Sequence, residues 1–252
     1  KAKSQGGHAS APGKHTPVAR LADFVWSFEH HSPFKRKMAP EVRALFEQLA
    51  PYAPFYMRLL FANMWLFKPL LIRVLPMISA QAGAMLQTTI AFTRLSGSDA
   101  YNVLPQEATL GANMRFIPHE GMKKSLRKVR RAAKKHDLEL EVFHGVEPSR
   151  SVDIRGEGFS LVRQVIGETF PGLETCPYVM TGATDARNYE PIADHVVRFA
   201  PVIYGPEQMK GMHGMNENIE YNCLPGAVDF YRNLIAANGA PKAESEPAAG
   251  AV

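Results

Sequence analysis

Cysteine is scarce in this chain of 252 residues. The two that occur, Cys176 and Cys223, lie too far apart for a zinc-ribbon or thioredoxin pattern, both of which need closely spaced pairs. Whether they pair with each other, and with that the redox compartment, stays open. Long apolar runs are missing as well. The densest stretch, around Phe55 to Ile72, is broken by Arg58 and Lys68 and closed by Arg73, whereas a spanning helix takes about 18 to 20 apolar residues. No internal repeat, phosphate-binding glycine loop or nucleophile elbow occurs, so nucleotide and serine-hydrolase chemistries have no support. The chain opens on Lys1 and carries no signal peptide, so the expectation is that the natural N-terminus lies upstream; localisation is left open.

What is present is ordinary globular composition, 46% hydrophobic and 21% charged, over a length that suits one large domain or two small ones. The net charge of +5 comes largely from eight bases between Lys123 and Lys135. They are spaced around Leu126, Val129 and Ala133 as the wet face of an amphipathic helix, which is favoured over a nucleic-acid patch.

In chain order, the small-residue segment from Gly6 to Pro12 ends a strand or makes a turn. Thr16 caps a helix that has Pro17 at its first position and Val18, Leu21, Ala22, Val25 and Phe28 at helical spacing. Residues 40–49 form a second amphipathic helix. The apolar stretch after it reads as a buried helical hairpin, with an apolar wall for a greasy substrate or an interfacial membrane contact as sharper alternatives. Thr88–Thr93 and Glu107–Ile117 alternate as strands, the basic helix runs to His136, and Leu138–Phe143 is a further strand. The order β-α-(insertion)-β-β-α-β is that of a ferredoxin-like unit. From Gly145 a second domain begins, with helices at Phe159–Phe170 and Ala227–Ala237; the latter should pack Val228, Tyr231, Leu234 and Ile235 on one face. Residues 239–252 read as a disordered tail.

Between those helices lie two stretches with chemistry in them. Pro177 to Arg187 reads as a short buried strand, a glycine turn, then a helix capped by Thr184 or Asp185, a junction whose free N–H groups suit a carboxylate. Met212 to Glu217 sets His213 on a loop after the strand-like His195–Phe199. A loop histidine beside Asn216 and Glu217 can ligate a metal with the acid in support. Taken alone, each stretch is a weak signal, and a lone loop histidine is more often an ordinary surface residue than a ligand.

Together the runs Gly182-Ala183-Thr184-Asp185-Ala186-Arg187 and His213-Gly214-Met215-Asn216-Glu217 resemble the C-terminal catalytic segment of the di-zinc metallopeptidases, the M-twenty type that includes aminoacylase, carboxypeptidase S and N-acyl-amino-acid hydrolases. The resemblance implies that His213 is a zinc ligand and that Gly182, Thr184, Asp185 and Arg187 line the place of the substrate's carboxylate. Gly6-Gly7-His8 with Ser10 and Pro12 is similar to the run that opens the family's lid domain. It implies that His8 reaches across a dimer to the substrate carbonyl in the partner's site, where an N–H donor stabilises the oxyanion. Gly97, Ser98, Asn102–Pro105, Ala108, Asn113 and Arg115 match a further lid signature, which implies substrate binding by Asn102. Arg115 is either a carboxylate fork or a structural pair for a lid acid. The apolar insertion is similar to one in carboxypeptidase S-like proteins.

The expected architecture is therefore α+β / α/β. A ferredoxin-like βαββαβ lid spans residues 1–143 with a helical insertion at about 33–86, and the C-terminal portion of an α/β zinc-peptidase catalytic domain spans 144–238. The resemblance implies two zinc ions, a His-x-Asp pair, a bridging Asp and a Glu-Glu pair, of which this chain supplies none beyond His213. It reads as the C-terminal part of such an enzyme and, as it stands, should hydrolyse nothing. The implied substrate is an N-acyl amino acid or a peptide with a free carboxylate, and the implied partner is a second copy bound through the lid. Nucleic acid is not expected and membrane-surface contact is not favoured. A non-catalytic dimerisation module and a lipid-surface protein are the competing readings.

Overall fold

A two-residue strand near the N-terminus and an eight-residue strand after the insertion pair with the two edges of one nine-residue strand. The computed structural model describes residues 1–180, 182 and 184–239. They fall into two units: residues 1–151 with 176–183, and residues 152–175 with those from 184 onward.

In the first unit β1 (Ala2–Lys3) and β2 (Gly7–His8) precede α1 (Pro17–His30). The insertion follows as α2 (Pro40–Leu49), a 3-10 turn (Ala50–Tyr52), α3 (Phe55–Ala62), α4 (Met64–Ile78) and α5 (Ala80–Ala84). Then come β3 (Thr89–Ser96), β4 (Val103–Leu104), β5 (Glu107–Arg115) and α6 (Gly121–Lys135). β5 is the central strand of an antiparallel sheet ordered β1-β5-β3. The pairing with β3 runs from Thr89↔Arg115 to Ser96↔Thr109 with an irregularity between Phe92 and Arg94.

α1 begins with Pro17, where a missing N–H costs nothing. Thr16 holds the cap position, but its side chain makes no cap bond. Leu21, Phe24 and Phe28 fall on one stripe and are buried. Phe24, Phe28 and Phe34 pack with Val129 and Ala133 of α6 over Ile90, Phe92, Leu110 and Met114 of the sheet. Arg20 is drawn inside with them and donates to the Asp137 carboxylate and the Lys3 carbonyl. The basic residues of α6 are exposed except Lys128, which turns inward to the buried Glu120 and donates to the Pro33 carbonyl at 2.8 Å.

The strand expected at Leu138–Phe143 is not formed. Glu139 N–H donates to the Lys1 carbonyl and the terminal ammonium donates back, each at 2.9 Å, and there the pairing stops. The neighbour on that side, β1, is two residues long, too short to template a ladder. Surface pairs Lys3–Glu139 and Lys1–Glu141 flank the contact; the Lys3 ammonium holds the Glu139 carboxyl below its usual range.

The insertion has its own core of Val42, Leu45, Phe46, Phe61, Met64, Leu71, Leu75 and Leu86, against which Val179 also packs. It is less buried than a helical hairpin should be: Phe55, Trp65 and Met77 are 80%, 74% and 83% exposed. The reason is that each helix has only one covered stripe while its sequence is apolar nearly all round. Among the described residues no single helix is long and apolar enough to cross a membrane; α3 and α4 reach that only together and are bent by 113°.

The second unit holds α7 (Glu157–Thr169), a 3-10 turn (Asp185–Asn188), α8 (Pro206–Gly211), a 3-10 turn (Tyr221–Cys223) and α9 (Leu224–Gly239). Phe230 is its centre, packed on Val165, Ile166, Phe170 and Leu234, with the Phe199 ring 4.9 Å away. The packed stripe of α9 is thus Phe230, Leu234 and Ala237, while Val228, Tyr231 and Ile235 face out, contrary to the expected face. Among the described residues this unit has no strand, and neither the stretch before Gly182 nor His195–Phe199 joins a ladder. An extended segment without a partner strand cannot bond its N–H and C=O groups in pairs, so the expected α/β sheet is absent here. Of the expected tail, Gly239 ends α9 and residues 240–252 lie outside the described residues.

Truncating Phe28 removes the ring on which α1, Phe34 and the sheet converge. Phe28→Ala should lower the stability of the first unit by about 3–5 kcal/mol, whereas Val228→Ala should stay within about 0.5 kcal/mol. Urea unfolding followed by the fluorescence of Trp26 and by circular dichroism will separate the two.

Candidate functional site

Seven residues carry the expected substrate chemistry and one the metal chemistry, and the structure brings only some of them together. His8 and Asn102 share one ribbon. β2 pairs antiparallel with β4, Gly7 opposite Leu104 and His8 opposite Val103, and Ala9 N–H donates to the Asn102 carbonyl at 2.9 Å. This ribbon continues the β1–β5 ladder, which ends where Ser4 N–H donates to the Gln106 carbonyl at 2.8 Å. Between the two, Gln5 and Gly6 stand opposite the single residue Pro105, which makes a β-bulge. Proline has no N–H to give a ladder, so the irregularity falls where the chain could not pair anyway. The Ser4 hydroxyl satisfies the Pro105 carbonyl at 2.8 Å and accepts from Gly6 N–H at 2.9 Å. Gly6 sits at φ +74°, and a Cβ there would lie 2.9 Å from Gln106 Cγ and 3.3 Å from the Leu104 carbonyl oxygen.

His8 is exposed, and its Nδ1 lies 2.7 Å from Ser10 Oγ and accepts from Ser10 N–H at 3.2 Å. A shallow depression of about 330 Å³ lies beside the bulge, lined by Gln5, Gly6, Gly97, Asp99 and Gln106 among others, but neither His8 nor Asn102 lines it. Arg115 closes β5 opposite Thr89 and is exposed; among the described residues it makes no ion pair, so the lid-acid alternative finds no partner.

The carboxylate loop differs from expectation. Gly182 is exposed, and Thr181 and Ala183 on either side lie outside the described residues. The expected helix is a single 3-10 turn, Asp185–Asn188, too short to present an aligned row of N–H groups. Thr184 holds its cap position without a cap bond, because its hydroxyl accepts from Arg198 Nε at 3.2 Å. Arg198 also pairs with Glu190 at 3.1 Å, which ties both ends of the loop to one guanidinium. Asp185 and Arg187 are exposed.

His213 lies on the loop after α8, exposed and in the left-handed region at φ +58°, as is Asn216 at +64°. Gly214 N–H donates to the Gly211 carbonyl at 2.9 Å. The loop is pinned by a residue that the motif reasoning missed. Gln208 is buried; its Oε1 accepts from Gly205 N–H at 3.0 Å, and its Nε2 donates to Asn218 and Glu220 at 3.2 Å each. The signal was there: Gly205-Pro206 followed by a glutamine at the third helical position is a capping pattern. Both cysteines are free thiols, and partial burial pushes the Cys176 thiol above its usual range. Among the described residues no group of three His, Cys, Asp or Glu side chains is placed to hold a metal ion. The donor set near His213 therefore does not by itself fit a zinc ion, which takes three or four protein ligands.

Residues 1–141 match the peptidase dimerisation domain. This chain belongs to that family. It is 28% identical over 231 residues to the probable carboxypeptidase S-like 2 of Dictyostelium discoideum, covering 91% of this chain and 44% of that one. It is 31% identical over 231 residues to the N-fatty-acyl-amino acid synthase/hydrolase of Xenopus tropicalis, covering 91% and 45%. The corresponding Homo sapiens protein is 29% identical over 232 residues, covering 91% and 46%. The chain thus spans about half the length of the curated relatives it matches. The relatives' names are those of hydrolases, and the mixed helix-and-sheet structure of the first unit, with its small antiparallel sheets, is consistent with the peptidase dimerisation domain.

The bulge makes Gly6 the sensitive position of the His8 ribbon. Gly6→Ala should cost about 1–3 kcal/mol, the usual strain of a side chain in that backbone region, whereas Gly182→Ala meets nothing within 4 Å and should be near neutral. Thermal melts of the two variants test this. Arg198→Ala should in turn remove its bonds to Thr184 and Glu190 and speed limited proteolysis between residues 184 and 198.

Proposed function

We propose that this chain forms the lid and the C-terminal part of a zinc-dependent hydrolase of amide bonds, acting on N-acyl amino acids or on peptides with a free carboxylate. The observation that carries the reading is the placement of His8 and Asn102 on one exposed, backbone-locked ribbon within a peptidase dimerisation domain. The lid is residues 1–143, a ferredoxin-like unit whose last strand is reduced to the contact of Glu139 with Lys1, with the insertion at about 33–86; residues 144–238 belong to the catalytic part. Two copies associate through their lids, and each lends His8 to its partner's site.

In this reading His8 donates an N–H to the carbonyl oxygen as negative charge develops on it, and Asn102 holds the substrate beside it. Gly182, Thr184, Asp185 and Arg187, with Arg115 as a further cation, orient the carboxylate end. The loop tied by Arg198 keeps Thr184 in place for that task. His213 is one nitrogen ligand for zinc, and the remaining ligands come from residues outside this chain. Zinc would supply Lewis-acid chemistry when bound. The name of the Xenopus tropicalis relative points to fatty acyl groups, and the apolar residues of α3 and α4 suit them, each buried methylene being worth about 0.8 kcal/mol.

The chain alone, with excess zinc, should show no turnover of an N-acyl amino acid. Supplying the N-terminal half of such an enzyme in trans should restore it, and His8→Ala should then lower kcat by about 10²–10³-fold while zinc content is unchanged. Turnover by the chain alone that disappears in His213→Ala would overturn the reading. In the complemented enzyme, long-chain acyl substrates should be preferred over acetyl ones; equal kcat/KM for both would refute the acyl assignment.

A further inference from the structure

We infer that Ser10 is a positioning residue that sets the tautomer of His8, keeping the ring proton on Nε2. The inference rests on the proposed role of His8 as an N–H donor, and nothing in the motif itself assigns this task to the serine. Two groups of Ser10 converge on one ring nitrogen: the hydroxyl oxygen lies 2.7 Å from Nδ1 and the main-chain N–H donates to it at 3.2 Å. A main-chain N–H can only donate, so Nδ1 must present a lone pair. In a neutral imidazole the proton is then on Nε2. The hydroxyl can turn either way, and with Nδ1 as acceptor it turns to donate.

The main-chain donor is held by the backbone and does not depend on a rotamer. Ala9 N–H is bonded to the Asn102 carbonyl and Ala11 N–H to the His8 carbonyl at 3.3 Å, so residues 8 to 11 close a turn on the end of the β2–β4 ribbon. That turn aims the N–H of Ser10 back at the ring of His8, and the hydroxyl lies beside the same nitrogen. Among the described residues Nε2 has no protein partner, which leaves its N–H free to meet a ligand. The chemistry needs this tautomer. A developing carbonyl oxyanion is stabilised by an N–H and repelled by a ring lone pair, and a histidine held in the wrong tautomer loses catalysis even with its geometry intact.

The test uses the 252-residue chain labelled with ¹⁵N at histidine, with the His8 signals assigned by their loss in His8→Ala. Two-bond ¹H–¹⁵N spectra at a pH where the ring is neutral report the tautomer directly. The expected result is a protonated Nε2 and an unprotonated Nδ1 in the wild type, a severalfold rise in the Nδ1–H form in Ser10→Ala, and a return to the wild-type pattern in Ser10→Thr. Circular dichroism of all three confirms that the fold is kept. A wild-type ring in the Nδ1–H form or in a mixture overturns the inference, as does a Ser10→Ala spectrum identical to wild type. The role of His8 fails separately: if the spectra are as expected but His8→Ala leaves kcat of the complemented enzyme unchanged, the tautomer lock stands and the oxyanion assignment falls. In that enzyme Ser10→Ala should lower kcat about tenfold with little change in KM, less than loss of the donor itself because the main-chain N–H remains.

Discussion

Everything placed in the first unit depends on β5 being paired on both edges. One edge takes β3, which fixes where the insertion leaves and returns; the other takes β1, which fixes where the chain begins. α1 and α6 then find a common apolar floor in Ile90, Phe92, Leu110 and Met114, and their own stripes, Phe24, Phe28, Val129 and Ala133, have somewhere to go. Backbone pairing alone would contribute little net free energy, since water offers the unfolded chain the same bonds. Its effect is positional: it sets the register, and burial of the aromatic cluster makes that register the stable one.

The second unit shows what happens without such a strand. Among its described residues the apolar centre lies around Phe230 between α7 and α9, and the loops bearing Thr184 and His213 are held by side chains instead. Arg198 bridges Thr184 and Glu190, and Gln208 bridges Gly205, Asn218 and Glu220. These are few and mostly polar contacts, the mark of segments that open more readily than a packed core.

Local patterns were legible and non-local ones were not. The helices Pro17–His30, Pro40–Leu49 and Gly121–Lys135 stand where periodicity and proline placed them, because those signals act within one turn. β3 and β5 were legible for the same reason, through alternation. The Leu138–Phe143 strand and the two stretches in the C-terminal third were misread, because an apolar β-branched run says nothing of whether a partner is in reach. The outward face of α9 was misjudged because Val228, Tyr231 and Ile235 are as apolar as the residues that pack. As to the site, the motifs named His8 and Asn102 separately; that they share a ribbon follows from Pro105 and Gly6, whose chemistry was visible but whose opposition was not.

The bulge has a consequence for how the lid can change over time. The extra residue opposite Pro105 shifts the register by one between the β1–β5 ladder and the β2–β4 ribbon, and that shift is what sets His8 opposite Val103. Loss of a single codon within Gln5-Gly6 would leave the composition and the core almost untouched and yet force a choice: run the ladder straight through Pro105, which has no N–H to pair, or slip by one residue and take His8 away from Val103. The length of this segment is therefore more constrained than its residue identities, and insertions or deletions there should be purged even where substitutions at Gln5 are tolerated.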